Sequence, residues 1–236
     1  KIVLIFSLFI SMLNFFLIYN IFNRRKISSE HKEDFILFFI SIIFSLLLLT
    51  ITRNLGLLDV LINVLSSLSN SGLILNNTPE NLSLYFLLLA ILGGSIISNS
   101  SGVKFVRIYI LLKTTSSEIL KLVRPNNIIN QKIFNSDKKI NNENIKTSFL
   151  IFISFFISLF LLSGLLLLDT INFENSFKLS ILTLTNTTVS GMYDIININF
   201  SNLLTSSKIS LIIFMIVGKI ELISFFLLIK NIFFKN

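Results

Sequence analysis

Leu57-Leu58-Asp59-Val60-Leu61-Ile62-Asn63-Val64-Leu65-Ser66-Ser67-Leu68 runs into Ser69-Asn70-Ser71-Gly72, and the reading of this stretch decides the fold. Apolar residues at Leu57, Leu58, Leu61, Val64, Leu65 and Leu68 recur at helical spacing, and the polar run with its glycine ends the helix. Such a helix is too short to cross a bilayer, which takes roughly 20 apolar residues. A second copy ends in Thr188-Val189-Ser190-Gly191, after Phe177 to Leu184 and Thr185-Asn186-Thr187-Thr188, and long apolar stretches flank both copies. Irregular backbone at membrane depth is tolerated only where protein buries it or where it lines a wet cavity. The repeated Ser/Thr-x-Ser-Gly therefore predicts two re-entrant segments with carbonyls turned toward an ion pathway, since carbonyls replace a cation's water without a trapping charge. The competing reading is an ordinary polar hairpin with a turn glycine; duplication between apolar spans weighs against it.

The rest of the composition agrees with a membrane chain. Of 236 residues, 53% are hydrophobic, Phe occurs 25 times and Trp never, and the mean hydropathy is +0.84; a soluble single-core domain does not look like this. Cysteine is absent, which removes disulfides, thiolate metal sites and cysteine nucleophiles. The one histidine, His31, sits with Lys32, Glu33 and Asp34 and reads as a solvated loop residue. No enzyme constellation emerges. The chain opens at Lys1 inside an apolar run with no basic region before it, which reads as a fragment and not as a signal peptide.

Five stretches approach a membrane span: Ile2 to Phe22, Phe35 to Ile51, Leu82 to Leu112, Phe149 to Leu168 and Ile209 to Ile229. The third contains Gly93-Gly94-Ser95-Ile96-Ile97-Ser98-Asn99-Ser100-Ser101-Gly102, which opposes a straight helix and predicts a break. Arg24, Arg25, Lys26 and Lys32 fill the first linker, and Lys113, Lys121, Arg124, Lys132, Lys138, Lys139 and Lys146 fill the long one, so these sides are expected in the cytoplasm. Lys104 and Arg107 mark the cytoplasmic end of their span, and Lys230 and Lys235 return the C-terminus there. Arg53, Lys178 and Lys208 fall in the opposite loops, which places both polar segments outside. Asn135 to Asn144 reads as a mobile loop. The net charge of +8 is then a topological signal, and no nucleic-acid partner is expected.

A repeating unit follows: span, re-entrant segment, span. Residues 1–22 read as the tail of an earlier copy, 34–113 as one complete copy with a broken inner helix, 114–146 as a cytoplasmic linker and 147–231 as the last copy. Internal repetition of this kind is usual in transport proteins.

Gly93-Gly94-Ser95 through Gly102-Val103-Lys104-Phe105-Val106-Arg107, then Leu111-Leu112-Lys113, Glu118-Ile119, Lys121-Leu122-Val123 and Arg124-Pro125-Asn126, resembles the third-repeat inner helix and linker of the Trk/Ktr/HKT potassium transporters. Gly218-Lys219-Ile220-Glu221 is similar to the Gly-Arg-x-Glu of that family's last inner helix, and Asn14-Phe15 suits the inner helix of its second repeat. The resemblance implies an all-α polytopic fold of helix, pore loop and helix units with pseudo-fourfold symmetry, of which this chain is the C-terminal half. It implies that Ser69, Asn70, Ser71 and Gly72 form the third potassium filter segment and Thr188, Val189, Ser190 and Gly191 the fourth, with Gly72 lying over Gly191. It makes Gly93, Gly94, Ser98, Asn99 and Gly102 part of an intramembrane gate. Lys219 stands in place of the family's arginine as a pore barrier, keeping its charge but not its rigid donor fork. The cargo implied is K+ held by filter carbonyls, with no covalent cofactor. The implied partners are the N-terminal half, a second copy of the full chain and a cytosolic nucleotide-binding regulatory ring, in the inner or plasma membrane.

Lys219 and Glu221 have a plainer reading, a snorkelling lysine and a local cap or pair. The rival for the whole chain is a membrane enzyme or scaffold, but Glu80, Asp194 and Glu221 are too dispersed in the sequence to make a catalytic cluster.

Overall fold

The structure, a computed structural model, describes residues 1–23, 31–52, 55–75, 82–124, 132–135, 140–169, 171–195, 198 and 200–219. Helices α1 (Ile2–Met12), α2 (Phe15–Phe22), α3 (Lys32–Ile51), α4 (Leu57–Leu68) and α5 (Ser83–Ile91) lead to a short parallel pairing of β1 (Leu92–Gly93) with β2 (Val103–Lys104). Helices α6 (Phe105–Val123), α7 (Asn142–Leu167), α8 (Phe173–Leu184) and α9 (Thr205–Lys219) follow.

Helices α3 and α7 are long and apolar enough to cross a membrane. Their polarity is inverted relative to a water-soluble bundle. Helix α3 exposes Phe35, Phe39, Ile43 and Leu46 and buries Ser41 and Ser45; α7 exposes Phe149, Ile153, Ile157 and Phe160 and buries Ser148, Ser158 and Ser163. The buried hydroxyls are satisfied within their own helices, Ser45 Oγ donating to the Ser41 carbonyl at 2.7 Å and Ser158 Oγ to Phe155 at 2.8 Å. Lipid tails give no hydrophobic reward for packing Leu on Leu, so small residues at the contacts let backbones approach while large apolar ones face lipid. The molecule is thus an all-α membrane protein. Its main core joins Met12, Leu37, Leu48, Ile62, Phe86 and Leu89 to Phe155, Leu159, Leu184 and Tyr193, tying the first part of the chain to the last.

The apolar stretch from Ile2 to Phe22, read as one span, is broken: α1 and α2 meet at a bend of 109°. Asn14 makes the elbow. Its backbone is extended, its Oδ1 accepts the Phe16 N–H at 2.9 Å, and its own N–H goes to Asp34 Oδ1 at 2.9 Å. An asparagine that supplies its own cap competes with helix continuation.

The break expected in the third span lies between α5 and α6, and its loop seats in the α1–α2 elbow. Ser95 N–H donates to the Met12 carbonyl at 3.1 Å, Asn99 N–H to Ser11 at 3.2 Å, and Phe15 N–H to Ile97 at 2.9 Å. Backbone groups freed by two broken helices therefore satisfy one another.

Three other expectations change. Lys104 is buried and is no mere end marker: its Nζ donates to the Ser100 carbonyl at 2.6 Å and to Ser98 at 3.3 Å. His31 is 4% exposed, not solvated, with Nδ1 3.3 Å from Asp34 Oδ2 and Nε2 2.9 Å from Asn20 Nδ2; tertiary contact with α2 covers it. Helix α7 starts at Asn142, inside the stretch read as a mobile loop, because Glu143 onward is continuous with the apolar span. Arg24, Arg25, Lys26, Arg53, Glu80, Pro125, Asn126, Lys138, Lys139, Ile220, Glu221, Lys230 and Lys235 lie outside the described residues.

Asp34→Ala leaves the half-buried Asn14 N–H and the buried His31 without their Asp34 partner, and it is expected to destabilise the elbow by about 1–3 kcal/mol. Asn14→Ala removes only the cap of α2, about 1 kcal/mol. Thermal unfolding in detergent should rank Asp34→Ala below Asn14→Ala.

Candidate functional site

Helices α4 and α8 each have 12 residues, and each ends in a tight turn built the same way. The N–H of Ser69 returns to the Leu65 carbonyl and that of Thr185 to Ile181. Asn70 N–H donates to Ser67 at 3.1 Å, as Asn186 N–H does to Thr183 at 3.1 Å; Ser71 N–H reaches Ser66 at 3.0 Å, as Thr187 N–H reaches Leu182 at 2.9 Å. Both asparagines adopt left-handed backbone, with φ of 60° at Asn70 and 51° at Asn186. Asparagine tolerates that region because its short side chain can bond locally. Here the amides reach an inner helix, Asn70 Nδ2 donating to the Ala90 carbonyl at 2.7 Å and Asn186 Nδ2 to Met215 at 2.8 Å.

This equivalence corrects the expected register. Ser69-Asn70-Ser71-Gly72 lies on Thr185-Asn186-Thr187-Thr188, so the counterpart of Gly72 is Thr188 and not Gly191. Gly72 has φ of 68°, and a Cβ there would collide with Thr188, whereas Gly191 opens a short 3-10 turn with nothing within 4 Å of a Cβ. The sequence signal was the alternating Ser/Thr-Leu-Ser/Thr-Asn-Ser/Thr of Ser67 to Ser71 and Thr183 to Thr187; anchoring on glycine displaced the alignment by three positions.

The two turns meet. Asn70 Nδ2 lies 3.3 Å from Thr187 Oγ1, and Thr188 Oγ1 donates to the Ser71 carbonyl. Two helix C-termini thus converge, each carrying roughly half a negative charge on unsatisfied carbonyls, and neither turn from Ser69 to Gly72 or from Thr185 to Gly191 contains a charged side chain. Such an arrangement favours a cation without binding it at a fixed carboxylate. Val189, Ser190 and Gly191 continue from Thr188; Val189 is exposed and Ser190 is half-buried.

The expected gate residues lie together in the loop between β1 and β2. Gly94 N–H donates to Ser100 Oγ at 2.7 Å, and the Ser98 and Ser100 hydroxyls are 2.8 Å apart. Gly93 is in β1 and Gly102 has φ of 78°, closing the loop before β2. Lys219, from α9, donates Nζ to the Asn99 carbonyl at 2.6 Å. Sequence reasoning paired Lys219 with the pathway but had no signal for its partner, 120 positions away.

Lys178 was also missed. It was placed in an outer loop, yet it lies in α8 with its side chain 3% exposed.

No family model matches the chain. It is 26% identical over 213 residues to an uncharacterized cation transporter of Methanocaldococcus jannaschii, a match covering 84% of this chain and 40% of that protein. The crystal structure of the potassium transporter TrkH from Vibrio parahaemolyticus is similar with a TM-score of 0.81 and 20% identity, over 98% of this chain and 52% of that one. The chain has a TrkH-like membrane fold and spans about half or less of the length of each protein it matches.

The register makes opposite predictions for two glycines. Gly72→Ala meets a left-handed backbone and Thr188 together, and a loss of about 1–3 kcal/mol is expected. Gly191→Ala, in open space, should stay within about 0.5 kcal/mol of the parent. Unfolding midpoints of the two purified variants distinguish this register from the one aligned on glycine, in which both would suffer alike.

Proposed function

We propose that the chain is half of a cation pore that carries K+ inward across the inner or plasma membrane. The observation that carries this reading is the meeting of two uncharged, carbonyl-rich turns at the C-termini of α4 and α8. A monovalent cation shedding water needs several oxygen ligands at once, and Ser69–Gly72 with Thr185–Thr188 provide two of the four strands such a ring requires. The similarity to potassium and cation transporters supports the same cargo. The membrane potential drives entry with about 2.3 kcal/mol per charge per 100 mV.

In this reading the missing repeats complete the ring, the turns face outward and the basic linker faces the cytoplasm. The 94–102 loop is the gate. Its seat in the α1–α2 elbow and its grip by Lys219 support that role, because each contact joins the loop to a different element. Lys219 also puts a positive charge beside the path, raising the barrier to cations. A second full chain and a cytosolic nucleotide-binding ring are the proposed partners.

The test is rubidium and sodium uptake by the full-length protein in cells lacking their own potassium uptake. Rubidium entry that saturates and exceeds sodium entry is expected; no entry above background with normal membrane abundance defeats the pore reading. Lys219→Ala should raise rubidium flux about fivefold, the effect of removing about 1 kcal/mol of repulsion in a wet passage. An unaltered rate places Lys219 away from the path.

A further inference from the structure

The ammonium of Lys178 is held at 2.7 Å from Glu174 Oε1, 2.9 Å from the Asp194 carbonyl and 3.3 Å from Asp194 Oδ2. Glu174 is 75% exposed, so Asp194 is the partner that matters structurally. In α4 the equivalent position is Ile62, buried at 1%. The brace therefore belongs to one of the two turn segments only.

What Asp194 holds is the return of the segment after Thr188. Val189 and Ser190 lead into the 3-10 turn Gly191–Tyr193, and Asp194 closes it in left-handed backbone, with φ of 48° and ψ of 54°. That conformation is costly for a residue with a side chain and persists where its surroundings fix it. Lys178 fixes it by gripping both the carbonyl and the carboxylate. On the other side of the turn, Met192 and Tyr193 are buried at 1% and 0%. Ser67 Oγ, at the end of α4, donates to Met192 Sδ at 3.1 Å and lies 3.5 Å from Tyr193 OH. Residues 188–194 are thus suspended between two pegs, one in α8 and one in α4.

We propose that Lys178 is a positioning residue for cation discrimination: through Asp194 it anchors the return segment 189–194 and so sets where the Thr185–Thr188 carbonyls stand relative to α8, without touching an ion. Paired with two carboxylates, its charge adds little barrier of its own. The idea rests on the pore reading and deepens it, because it assigns the ion preference partly to a contact behind the carbonyls. Only one copy of the repeat has this contact, so the two segments respond differently to its loss.

The experiment compares rubidium-to-sodium uptake ratios of the full-length protein carrying Lys178→Met, Asp194→Asn or Lys178→Arg. Lys178→Met is expected to lower the ratio about tenfold, the scale of one lost charge-assisted hydrogen bond. Asp194→Asn keeps the main-chain acceptor and should lower it about threefold. Lys178→Arg keeps the charge and should hold the ratio near the parent value. A role in folding alone would reduce abundance and both fluxes in proportion; an unchanged ratio in Lys178→Met and Asp194→Asn, with the parent selective, overturns the brace and leaves the pore intact. If Lys178→Met does not accumulate, Asp194→Asn decides. A parent protein that transports neither ion defeats the pore reading and the brace with it.

Discussion

A chain that interrupts its helices in apolar surroundings must find a partner for every backbone group it frees, and this requirement organises the molecule. It is met at three places by the same means, an asparagine or a neighbouring break. Asn14 caps α2 and hands its N–H to Asp34. The 94–102 loop exchanges backbone hydrogen bonds with Ser11, Met12 and Phe15 of the elbow. Asn70 and Asn186 turn the chain at the ends of α4 and α8 and send their amides to Ala90 and Met215. Each solution joins elements distant in sequence, so satisfying the backbone also sets the tertiary arrangement.

The candidate site inherits its character from those solutions. Because the turns are closed by amides and hydroxyls, their carbonyls can face a cation with no carboxylate among them to trap it. Asn70 and Asn186 also tie the two turns to α5 and α9. The copies are not identical, however. Gly72 takes a left-handed conformation that Thr188 does not, and Thr188 Oγ1 donates to the Ser71 carbonyl across the junction. In the pore reading proposed above, a ring built from such strands has unequal ligands.

Much of this was legible in the sequence, for physical reasons that differ by element. The apolar spans that became α3 and α7 and the glycine-containing break before α6 rest on local composition. The short helix before Ser69 was legible because its periodicity stops at a hydroxyl run. The elbow at Asn14 was not, since one asparagine inside an apolar run looks tolerable until a capped neighbour and Asp34 make the bend pay. The register of the second turn was lost by trusting glycine, whose use depends on a backbone angle, over the Ser/Thr-Asn alternation that encodes the turn itself. His31, Lys104 and Lys178 were misplaced together because burial of such a side chain depends on partners that only the folded backbone brings to it: Asn20 on α2, the Ser98–Ser100 loop and Asp194.

The two lysines that hold the 94–102 loop are not equivalent, and the difference bears on the gating role proposed for it. Lys104 follows the loop directly and is buried against Ser98 and Ser100, to which it donates. Lys219 reaches Asn99 from α9 and is exposed. Water can replace that contact, so its rupture costs about 1 kcal/mol, whereas freeing Lys104 would strand a buried ammonium at several times that cost. The loop is then a preassembled unit, folded around Lys104, with a weak tether to α9 and a backbone seat in the elbow. In the pore reading proposed above, opening means loss of that tether and of the elbow seat.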